Sequence, residues 1–484
     1  MMEITPLRDL RPEPAACTAA GARALSALLS LCLLLTGCSS VQRVKELVAG
    51  PPSPFLSGYI GEVAADEPRA ALVGRDVLAR GGNAADAAAA IGLALAVTLP
   101  SRASLGAGGA CLAFDASKQT PPEAILFMPV AGGGTPGDRP GAIPMLARGL
   151  YLLQTRHGSV DFDELVHPAE ELARNGITVS RAFASDLSQV SAPLLADPGM
   201  RSLFGETVPA VNDRLVQPEL ALTLQRLSSQ GVGDLYDGAL ADEFVQGADQ
   251  AGAGIDAQVM RHAVPRAAAA LELSRGHVDV AFLPPPADGG LAAAAAFRAI
   301  GAASPQAASE AEVSAWRAAY PGDGGDETVA AQAFLDAPAQ GGSSLGDLPA
   351  STSFVVLDRS GNAVSCALTM DNLFGTGRVA GGTGIIIGAS PARFPRPLLA
   401  AAIAWSRGEH AFRAAVAASG QRDAAAAAAE ALHAALGGDG TLSRGFTQSG
   451  RANVISCPRG LPGDSASCVG ATDRRAAGLA IGSD

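Results

Sequence analysis

The residues best suited to covalent chemistry are three consecutive hydroxyl residues, Ser351, Thr352 and Ser353. They open an apolar, strand-forming run that reaches Leu357, and a stretch rich in Gly, Ser, Ala and Asp (337–350) precedes them. A hydroxyl needs a base before it can act as a nucleophile. If the chain is cut just before the hydroxyl residue, the freed α-amine, with a pKa of about 7.7–8.0, supplies that base. The pattern therefore predicts a nucleophile that cleavage uncovers.

The histidines do not offer an alternative base. None of the six stands in a recognisable catalytic motif; they are His157, His167, His262, His277, His410 and His433. The chain also has no Cys-x-x-Cys or His-Glu-x-x-His pattern. We therefore expect neither a metal site nor another cofactor.

The elements around the hydroxyl residues form a predicted hairpin. A second apolar run (365–370) follows turn residues at 358–362, and Asp371 and Asn372 come directly after it. Upstream, apolar patterns predict two helices at 69–79 and 84–96, separated by Gly81, Gly82 and Asn83.

Further elements follow from the same patterns. Helices are predicted at 147–154 and 162–174 and over most of 182–246, and strands at 111–115, 124–128, 277–283, 453–457 and 468–471. The segment 301–350 is interpreted as a linker, and 411–435 as an alanine-rich helix interrupted near Gly420.

Four motifs, in this order, resemble the γ-glutamyltransferase (γ-glutamyltranspeptidase) family. They are Gly81-Gly82-Asn83-Ala84-Ala85-Asp86-Ala87, the glycine-rich turn at 104–109, the helical block at 151–176, and the segment that runs from Ser351 through Gly361-Asn362-Ala363-Val364 to the Phe-Gly-Thr-Gly loop at 374–377. With gaps, the resemblance extends from about residue 59 to about residue 480.

The resemblance implies an α/β fold, the four-layer αββα sandwich of N-terminal nucleophile hydrolases. It implies cleavage between Ala350 and Ser351, so that a large region (58–350) pairs with a small region (351–484). Ser351 then corresponds to the nucleophile, with Thr352 as the alternative if the alignment slips by one residue. Thr369 corresponds to the hydroxyl that assists the freed amine, and Gly420 to a glycine of the oxyanion hole.

Several departures from the family pattern affect substrate recognition. Met128 stands where the family has a carboxylate-binding arginine, and Leu399 and Ala400 replace a serine pair. Asp371, beside Asn372, replaces a substrate-contacting asparagine. Each lost polar contact is worth about 1.5–3 kcal/mol. The sequence therefore predicts acyl transfer from a small amide whose acyl group is more apolar than a γ-glutamyl group. Met128, Leu399 and Ala400 are expected to line the pocket for this acyl group, near Asp371 and Asn372.

Two alternatives remain open from the sequence. The protein is a true γ-glutamyl enzyme if a different arginine supplies recognition, for which Arg378, Arg393 and Arg396 are the candidates. It is a non-catalytic envelope lipoprotein if only the scaffold has been kept.

The first 37 residues predict a secretory signal. Arg23 precedes an apolar run (24–35) that is too short to span a membrane and ends in Leu35-Thr36-Gly37-Cys38. That ending resembles a bacterial lipobox, which makes Cys38 a lipid-bearing residue and 38–57 a tether; an ordinary signal peptide with an incidental cysteine is the alternative. Ser39 favours the outer membrane, so we expect a lipid-anchored periplasmic protein.

The other cysteines predict buried thiols and one disulfide, and the net charge bears on the class of partner. Cys111 and Cys366 lie in apolar strands and are expected to be buried thiols. Cys457 and Cys468 flank a turn and form a candidate disulfide in an oxidising compartment. The net charge of −12, with no basic stripe, argues against nucleic acid as a partner.

Overall fold

The computed structural model describes residues 56–320, 327–336, 350–393, 397–437, 450–473, 475 and 477–482. Its helices, in chain order, are α1 (Pro68–Ala79), α2 (Ala84–Thr98), α3 (Pro100–Ala103), α4 (Leu146–His157), α5 (Phe162–Asn175), α6 (Arg181–Leu195), α7 (Pro198–Phe204), α8 (Pro218–Gln230), α9 (Asp234–Asp237), α10 (Ala239–Gln250), α11 (Ala257–His262), α12 (Gly289–Ala299), α13 (Pro305–Ala319), α14 (Glu327–Asp336) and α15 (Ala424–Gly437). Short 3-10 helices occupy Gln421–Asp423 and Ser465–Ser467.

Two antiparallel sheets form the centre of the fold. The strands, in chain order, are β1 (Gly61–Ala65), β2 (Gly108–Phe114), β3 (Glu123–Phe127), β4 (Val130–Ala131), β5 (Ala142–Ile143), β6 (Ile177–Thr178), β7 (Arg214–Leu215), β8 (Arg266–Ala269), β9 (Leu271–Arg275), β10 (Val278–Phe282), β11 (Ser351–Asp358), β12 (Ala363–Thr369), β13 (Val379–Ala380), β14 (Ile385–Ile386), β15 (Ala400–Ser406), β16 (Phe412–Ser419), β17 (Arg451–Leu461), β18 (Val469–Thr472) and β19 (Leu479–Gly482). One sheet has the order β19-β1-β11-β12-β2-β3-β8 and the other β18-β17-β16-β15-β10-β9.

Three apolar clusters show how the layers stack. One cluster joins the outer face of the seven-stranded sheet to helices that include α2, and a second joins the six-stranded sheet to α12, α13 and α15. The third contains side chains from both sheets, such as Leu112 and Ile403, and lies between them. The order helix, sheet, sheet, helix is the four-layer αββα arrangement.

Strand β11 shows why the pattern folds in this way. Successive side chains of a strand point to opposite faces. Phe354 and Val356 accordingly lie in the helix-side cluster, whereas Val355 and Leu357 lie between the sheets. Because both faces are covered, the strand is apolar without interruption, and a shift of one residue would exchange the two faces.

The segments before and after residue 350 both contribute strands to both sheets. The seven-stranded sheet takes β1, β2, β3 and β8 from before residue 350 and β11, β12 and β19 from after it. The six-stranded sheet combines β9 and β10 with β15 to β18. The segment that begins at Ser351 is thus a structural part of one common fold and not a separate domain.

Two predictions about the second half of the chain were wrong. The supposed linker contains α13 and α14, whose buried Trp316, Ala331 and Leu335 pack in the helix-side cluster of the six-stranded sheet. The supposed alanine-rich helix is divided, because β16 forms a central strand and only α15, with the short 3-10 helix before it, is helical. Small side chains on β16 let both neighbouring layers pack closely against it, and this tertiary environment outweighs the helix preference of alanine.

The cysteines form two disulfides. The prediction of free thiols at Cys111 and Cys366 was wrong: the two residues lie opposite each other on β2 and β12, with Cα atoms 4.1 Å apart, and are bonded. The predicted bridge between Cys457 and Cys468 is present, also with Cα atoms 4.1 Å apart. The first bridge joins residues 255 positions apart in the chain.

The predicted signal sequence, Cys38 and most of the tether lie outside the described residues. Among the helices of the described part, none combines the length and the hydropathy needed to cross a membrane.

Candidate active site

Ser351 is the first residue of β11 and lies at the wall of a cavity of about 520 Å³. The residue is 6% exposed. The cavity wall also contains Ala350 and Gly420, together with Asp66, Arg102, Arg181, Ala182, Ser185, Asp186, Gln189, Leu373, Arg451, Arg475 and Ala477. A volume of this size suits a small-molecule substrate.

The peptide carbonyl just before Ser351 is held by a hydroxyl. Thr369, which pairs with Ser351 across the β11–β12 ladder, donates a hydrogen bond from Oγ1 to the carbonyl oxygen of Ala350 at 2.8 Å. The backbone N–H of Asp371 donates in turn to Thr369 Oγ1 at 2.9 Å. The second bond fixes the direction of the hydroxyl, so that its proton points at the Ala350 carbonyl.

The structure distinguishes Ser351 from Thr352. By the alternation along β11, Ser351 belongs to the face between the sheets and Thr352 to the helix side. The Thr352 hydroxyl donates to Asp66 Oδ2 at 3.1 Å, and Thr352 is not part of the cavity wall. Of the two hydroxyl residues, Ser351 is the one beside the cavity.

Asp66 is a functional candidate that the sequence analysis missed. Its carboxylate is buried at the end of β1, and Oδ2 accepts from the Ser353 N–H at 2.9 Å and from the Ser419 hydroxyl at 2.8 Å. Oδ1 accepts from Asn453 Nδ2 at 2.8 Å. One carboxylate thus joins the start of β11 to both β16 and β17. The available signal was an acidic residue placed directly after the apolar run Val63-Ala64-Ala65 that ends β1.

Two of the four arginines at the cavity are fully paired. Arg102 donates two hydrogen bonds to Asp186, at 2.7 and 2.6 Å, and the Ser101 hydroxyl reaches the same carboxylate at 2.7 Å. Arg475 binds Asp473 through two bonds, at 3.0 and 2.6 Å. These bidentate pairs fix the walls of the cavity.

Arg181 and Arg451 differ from the paired arginines. Neither forms an ion pair within the described part of the chain, and Arg451 Nε is buried there without a hydrogen-bond partner. Neither guanidinium group therefore has a bidentate carboxylate partner among the described residues, although the charge of Arg451 acts on Asp473.

Asp371 is buried with both carboxylate oxygens unpartnered among the described residues. Its backbone has the left-handed φ of 59°, a conformation that Asn and Asp tolerate better than other side chains. Burial raises the pKa of Asp371 to about 7, because no hydrogen bond or cation compensates the desolvated charge. The Asp371 carboxyl group is thus partly protonated at neutral pH.

We expect Asp371→Asn to stabilise the protein above pH 7. An unfolded aspartate has a pKa of about 3.9, so between pH 4 and 7 the folded state binds more protons and stability falls as the pH rises. Asparagine removes this loss in the free energy of unfolding, which amounts to up to about 4 kcal/mol. Urea unfolding at pH 5 and pH 8 measures it, with the exposed Asp242→Asn as control. An equal dependence on pH in wild type and Asp371→Asn would contradict this account.

Of two other predicted site residues, one lies at the cavity beside Ser351 and one does not. Gly420 lies at the cavity wall with a φ of 107°, close in sequence to Ser419, which binds Asp66. Asn372 is exposed and lies at a separate small cavity of about 100 Å³.

The predicted apolar pocket is not at Ser351. Leu399 is buried between the sheets and Ala400 in the helix-side cluster of the six-stranded sheet, while Met128 packs against the cluster between the sheets. None of the three belongs to the wall of the cavity beside Ser351. The alternation of β15 explains why two adjacent residues lie in different layers.

The arginines proposed from the sequence are also elsewhere. Arg378 pairs with Asp138 through bonds of 2.7 and 2.8 Å and is not at the cavity wall. Arg393 is exposed in a turn, and Arg396 lies outside the described residues. The six histidines are all described, and none lies at the cavity wall.

Comparison with known proteins gives the family. Residues 70–317 match the family described as Gamma-glutamyltranspeptidase, a range that ends before Ser351. The chain is 30% identical over 407 residues to the glutathione hydrolase proenzyme of Escherichia coli (strain K12), and the match covers 70% of each protein. It is 31% identical over 259 residues to glutathione hydrolase 3 of Arabidopsis thaliana, a match that covers 50% of this chain and only 40% of that relative.

Solved structures share the fold at lower identity. Cephalosporin acylase from Bacillus halodurans matches with a TM-score of 0.67 at 17% identity, over 89% of this chain and 98% of that one. Helicobacter pylori gamma-glutamyltranspeptidase matches with a TM-score of 0.50 at 22% identity, over 60% of this chain and 95% of that one. These likenesses confirm the predicted fold class. The chain belongs to the gamma-glutamyltranspeptidase family and has the fold of the N-terminal nucleophile hydrolases.

Proposed function

We propose that the protein cuts its own chain between Ala350 and Ser351 and then hydrolyses or transfers the acyl group of a small amide. The observation that carries the proposal is the bond from Thr369 Oγ1 to the Ala350 carbonyl, with Ser351 at the cavity wall. Nucleophile, scissile carbonyl and a donor to that carbonyl are together in the uncut chain.

The cleavage step follows from this arrangement. Ser351 Oγ attacks the carbonyl carbon of Ala350, and negative charge develops on the oxygen that Thr369 holds. The C–N bond breaks, the hydroxyl proton ends on the departing nitrogen, and an ester joins Ala350 to Ser351 Oγ. Water hydrolyses the ester, leaving a carboxylate on Ala350 and a free amine on Ser351.

The second reaction uses the new amine. The amine takes the proton of Ser351 Oγ as the oxygen attacks the substrate amide, and it returns the proton to the leaving amine. Thr369 loses its acceptor when Ala350 leaves, so its hydroxyl becomes free to hold the amine of its ladder partner Ser351. Gly420, also at the cavity wall, is the candidate for a backbone oxyanion donor.

The proposal is tested by combining mass and activity in one sample. The purified mature protein, reduced and denatured, is expected to give two masses that meet between Ala350 and Ser351. The native protein is expected to release p-nitroaniline from acyl p-nitroanilides in proportion to the cut fraction. A chain that stays whole and inactive after long incubation would sink the enzyme proposal and favour a non-catalytic envelope lipoprotein.

We also propose that the protein is exported and anchored to the outer membrane through a lipid on Cys38. The two disulfides support an oxidising compartment. In a Gram-negative host, Cys38→Ser is expected to move the protein from the membrane fraction to the soluble periplasmic fraction. A Cys38→Ser protein that stays in the membrane fraction would argue against the anchor.

A further inference from the structure

We propose that Asp66 is a positioning residue, which holds the nucleophile Ser351 and the candidate oxyanion residue Gly420 in a fixed relation to each other. The piece of the chain before the cut thereby completes the active site of the piece after it. This inference rests on the proposed acyl transfer and adds a residue that the proposed mechanism does not use. Asp66 acts through neighbouring side chains and does not itself bind the substrate.

Ser351 and Gly420 lie on two different layers of the fold. Ser351 begins β11 in the seven-stranded sheet, whereas Gly420 directly follows β16 in the six-stranded sheet. The hydrogen bonds within a sheet therefore do not set the distance between the two residues. Reacting groups need to be held within about 0.5 Å of their working positions. The site thus requires a contact that joins the two layers.

Asp66 holds the start of β11 by three hydrogen bonds. The residue is buried at the end of β1, and its backbone N–H donates to the Ser353 carbonyl at 3.2 Å. Its Oδ2 accepts from the Ser353 N–H at 2.9 Å and from the Thr352 hydroxyl at 3.1 Å. The two residues that follow Ser351 are therefore fixed by a single side chain and its backbone.

The same carboxylate holds the end of β16. Oδ2 of Asp66 accepts from the Ser419 hydroxyl at 2.8 Å, and Ser419 is the residue before Gly420. A second connection runs through Asn453 on β17, whose Nδ2 donates to Asp66 Oδ1 at 2.8 Å and to the Ser353 carbonyl at 2.9 Å. One buried carboxylate thus joins the nucleophile strand to the turn that carries Gly420.

The donors to Asp66 all belong to the piece of the chain after the cut, while Asp66 belongs to the piece before it. They are Thr352, Ser353, Ser419 and Asn453. A carboxylate has about four acceptor sites, so these donors occupy the whole acceptor capacity of Asp66. Although Asp66 forms part of the cavity wall, no acceptor remains for a substrate. A change at Asp66 should therefore affect kcat and leave KM nearly unchanged.

Asp66→Asn tests this role with almost no change in volume. An amide has one acceptor oxygen, so its NH2 group must face either Asn453 Nδ2 or the other three donors, and in both cases donor meets donor. A displacement of about 1 Å costs about 100-fold in rate, so we expect kcat about 100-fold lower and KM within about threefold of wild type. The substrate is whichever of acetyl, valeryl and γ-glutamyl p-nitroanilide the wild-type protein hydrolyses fastest, and intact masses allow kcat to be expressed per cut chain.

The matched control is Asp358→Asn, at the opposite end of β11. Asp358 is also buried, and it also joins the two pieces, because it accepts from the Ala84 N–H at 3.2 Å. Its other donors are Ser360 and Asn362. It lies roughly 20 Å along the strand from Ser351. Asp358→Asn is expected to lose stability to urea as Asp66→Asn does, but to keep kcat within about twofold of wild type.

A second variant shows whether Asp66 acts through the turn at Gly420. Ser419→Ala removes the hydroxyl that binds Asp66 and is expected to lower kcat about tenfold, again without a change in KM. Combined with Asp66→Asn, it should lower kcat by less than about twofold more, because the shared contact is already lost. Combined with Asp358→Asn, it should lower kcat by the full amount, about tenfold.

The outcomes separate this inference from the proposed function. An unchanged kcat in Ser419→Ala, or equal losses of kcat in Asp66→Asn and Asp358→Asn, overturns the positioning role and leaves the acyl chemistry in place. A change confined to KM also overturns it, since it would assign Asp66 to substrate binding. A cut wild-type protein that hydrolyses none of the three compounds overturns the proposed function itself.

Discussion

A Ser351→Ala chain is expected to remain whole under conditions in which the wild-type chain is cut completely. Alanine removes the atom that attacks the Ala350 carbonyl and keeps the strand in place, since Ser351 is buried at the start of β11. Loss of a nucleophile typically reduces such a reaction by several orders of magnitude, so we expect at least a 1,000-fold decrease in the cleavage rate, roughly. Intact masses after reduction and denaturation, followed over days, measure it.

Two companion variants make this result specific. Ser351→Thr keeps a hydroxyl at the same position and is expected to cleave. Thr352→Val removes the hydroxyl that binds Asp66 and leaves Ser351 intact, so it is expected to cleave as well, at the same bond. A fragment that begins at Thr352 would move the nucleophile by one residue, and normal cleavage of Ser351→Ala would exclude Ser351.

A Thr369→Val chain is expected to cleave about 100- to 1,000-fold more slowly than wild type, the usual cost of one lost oxyanion donor. Valine keeps the branched shape that suits β12, but it removes the hydroxyl bonded to the Ala350 carbonyl at 2.8 Å. The charge that develops on this oxygen then loses a donor that is already in position. The time course of the uncut mass in freshly purified protein gives the rate.

The matched control for Thr369 is Thr223→Val. Thr223 is also buried and also donates its hydroxyl to a backbone carbonyl, that of Thr383, at 2.7 Å. It lies in α8, away from the cavity wall. Thr369→Ser, which restores the donor, is expected to recover most of the rate. Equal slowing by Thr223→Val would assign the Thr369 effect to stability instead of charge stabilisation.

The position of Ser351 at the start of a strand was accessible from the sequence because it depends on local patterns, whereas the four-layer fold followed from the resemblance to the family. The apolar run, the turn at 358–362 and the hydroxyl residue before them fix a strand and its start. The pairing of Ser351 with Thr369 then follows from the hairpin register. The same reasoning failed where alanine dominates, because a run such as that of β16 gives no period that separates helix from strand.

The composition of the cavity wall was not accessible in the same way. Arg102, Arg181 and Arg451 are far apart in the sequence and meet only after both sheets and α6 have assembled. Asp66 is identified by its partners, of which Ser419 and Asn453 lie more than 350 residues away. The family pattern pointed to other positions for recognition, and at three of them this chain has apolar residues that pack in or against the core, namely Met128, Leu399 and Ala400.

The bridge between Cys111 and Cys366 changes what a cut at residue 350 does to the molecule. Residues 111–366 form a closed ring, with one tail on each side, and the bond between Ala350 and Ser351 is part of that ring. Opening a ring at one point cannot divide it, so a chain cut there would remain a single covalent molecule whose two pieces stay at high effective concentration. Dilution or denaturation alone cannot separate them, and only a reductant that reaches the buried bridge can.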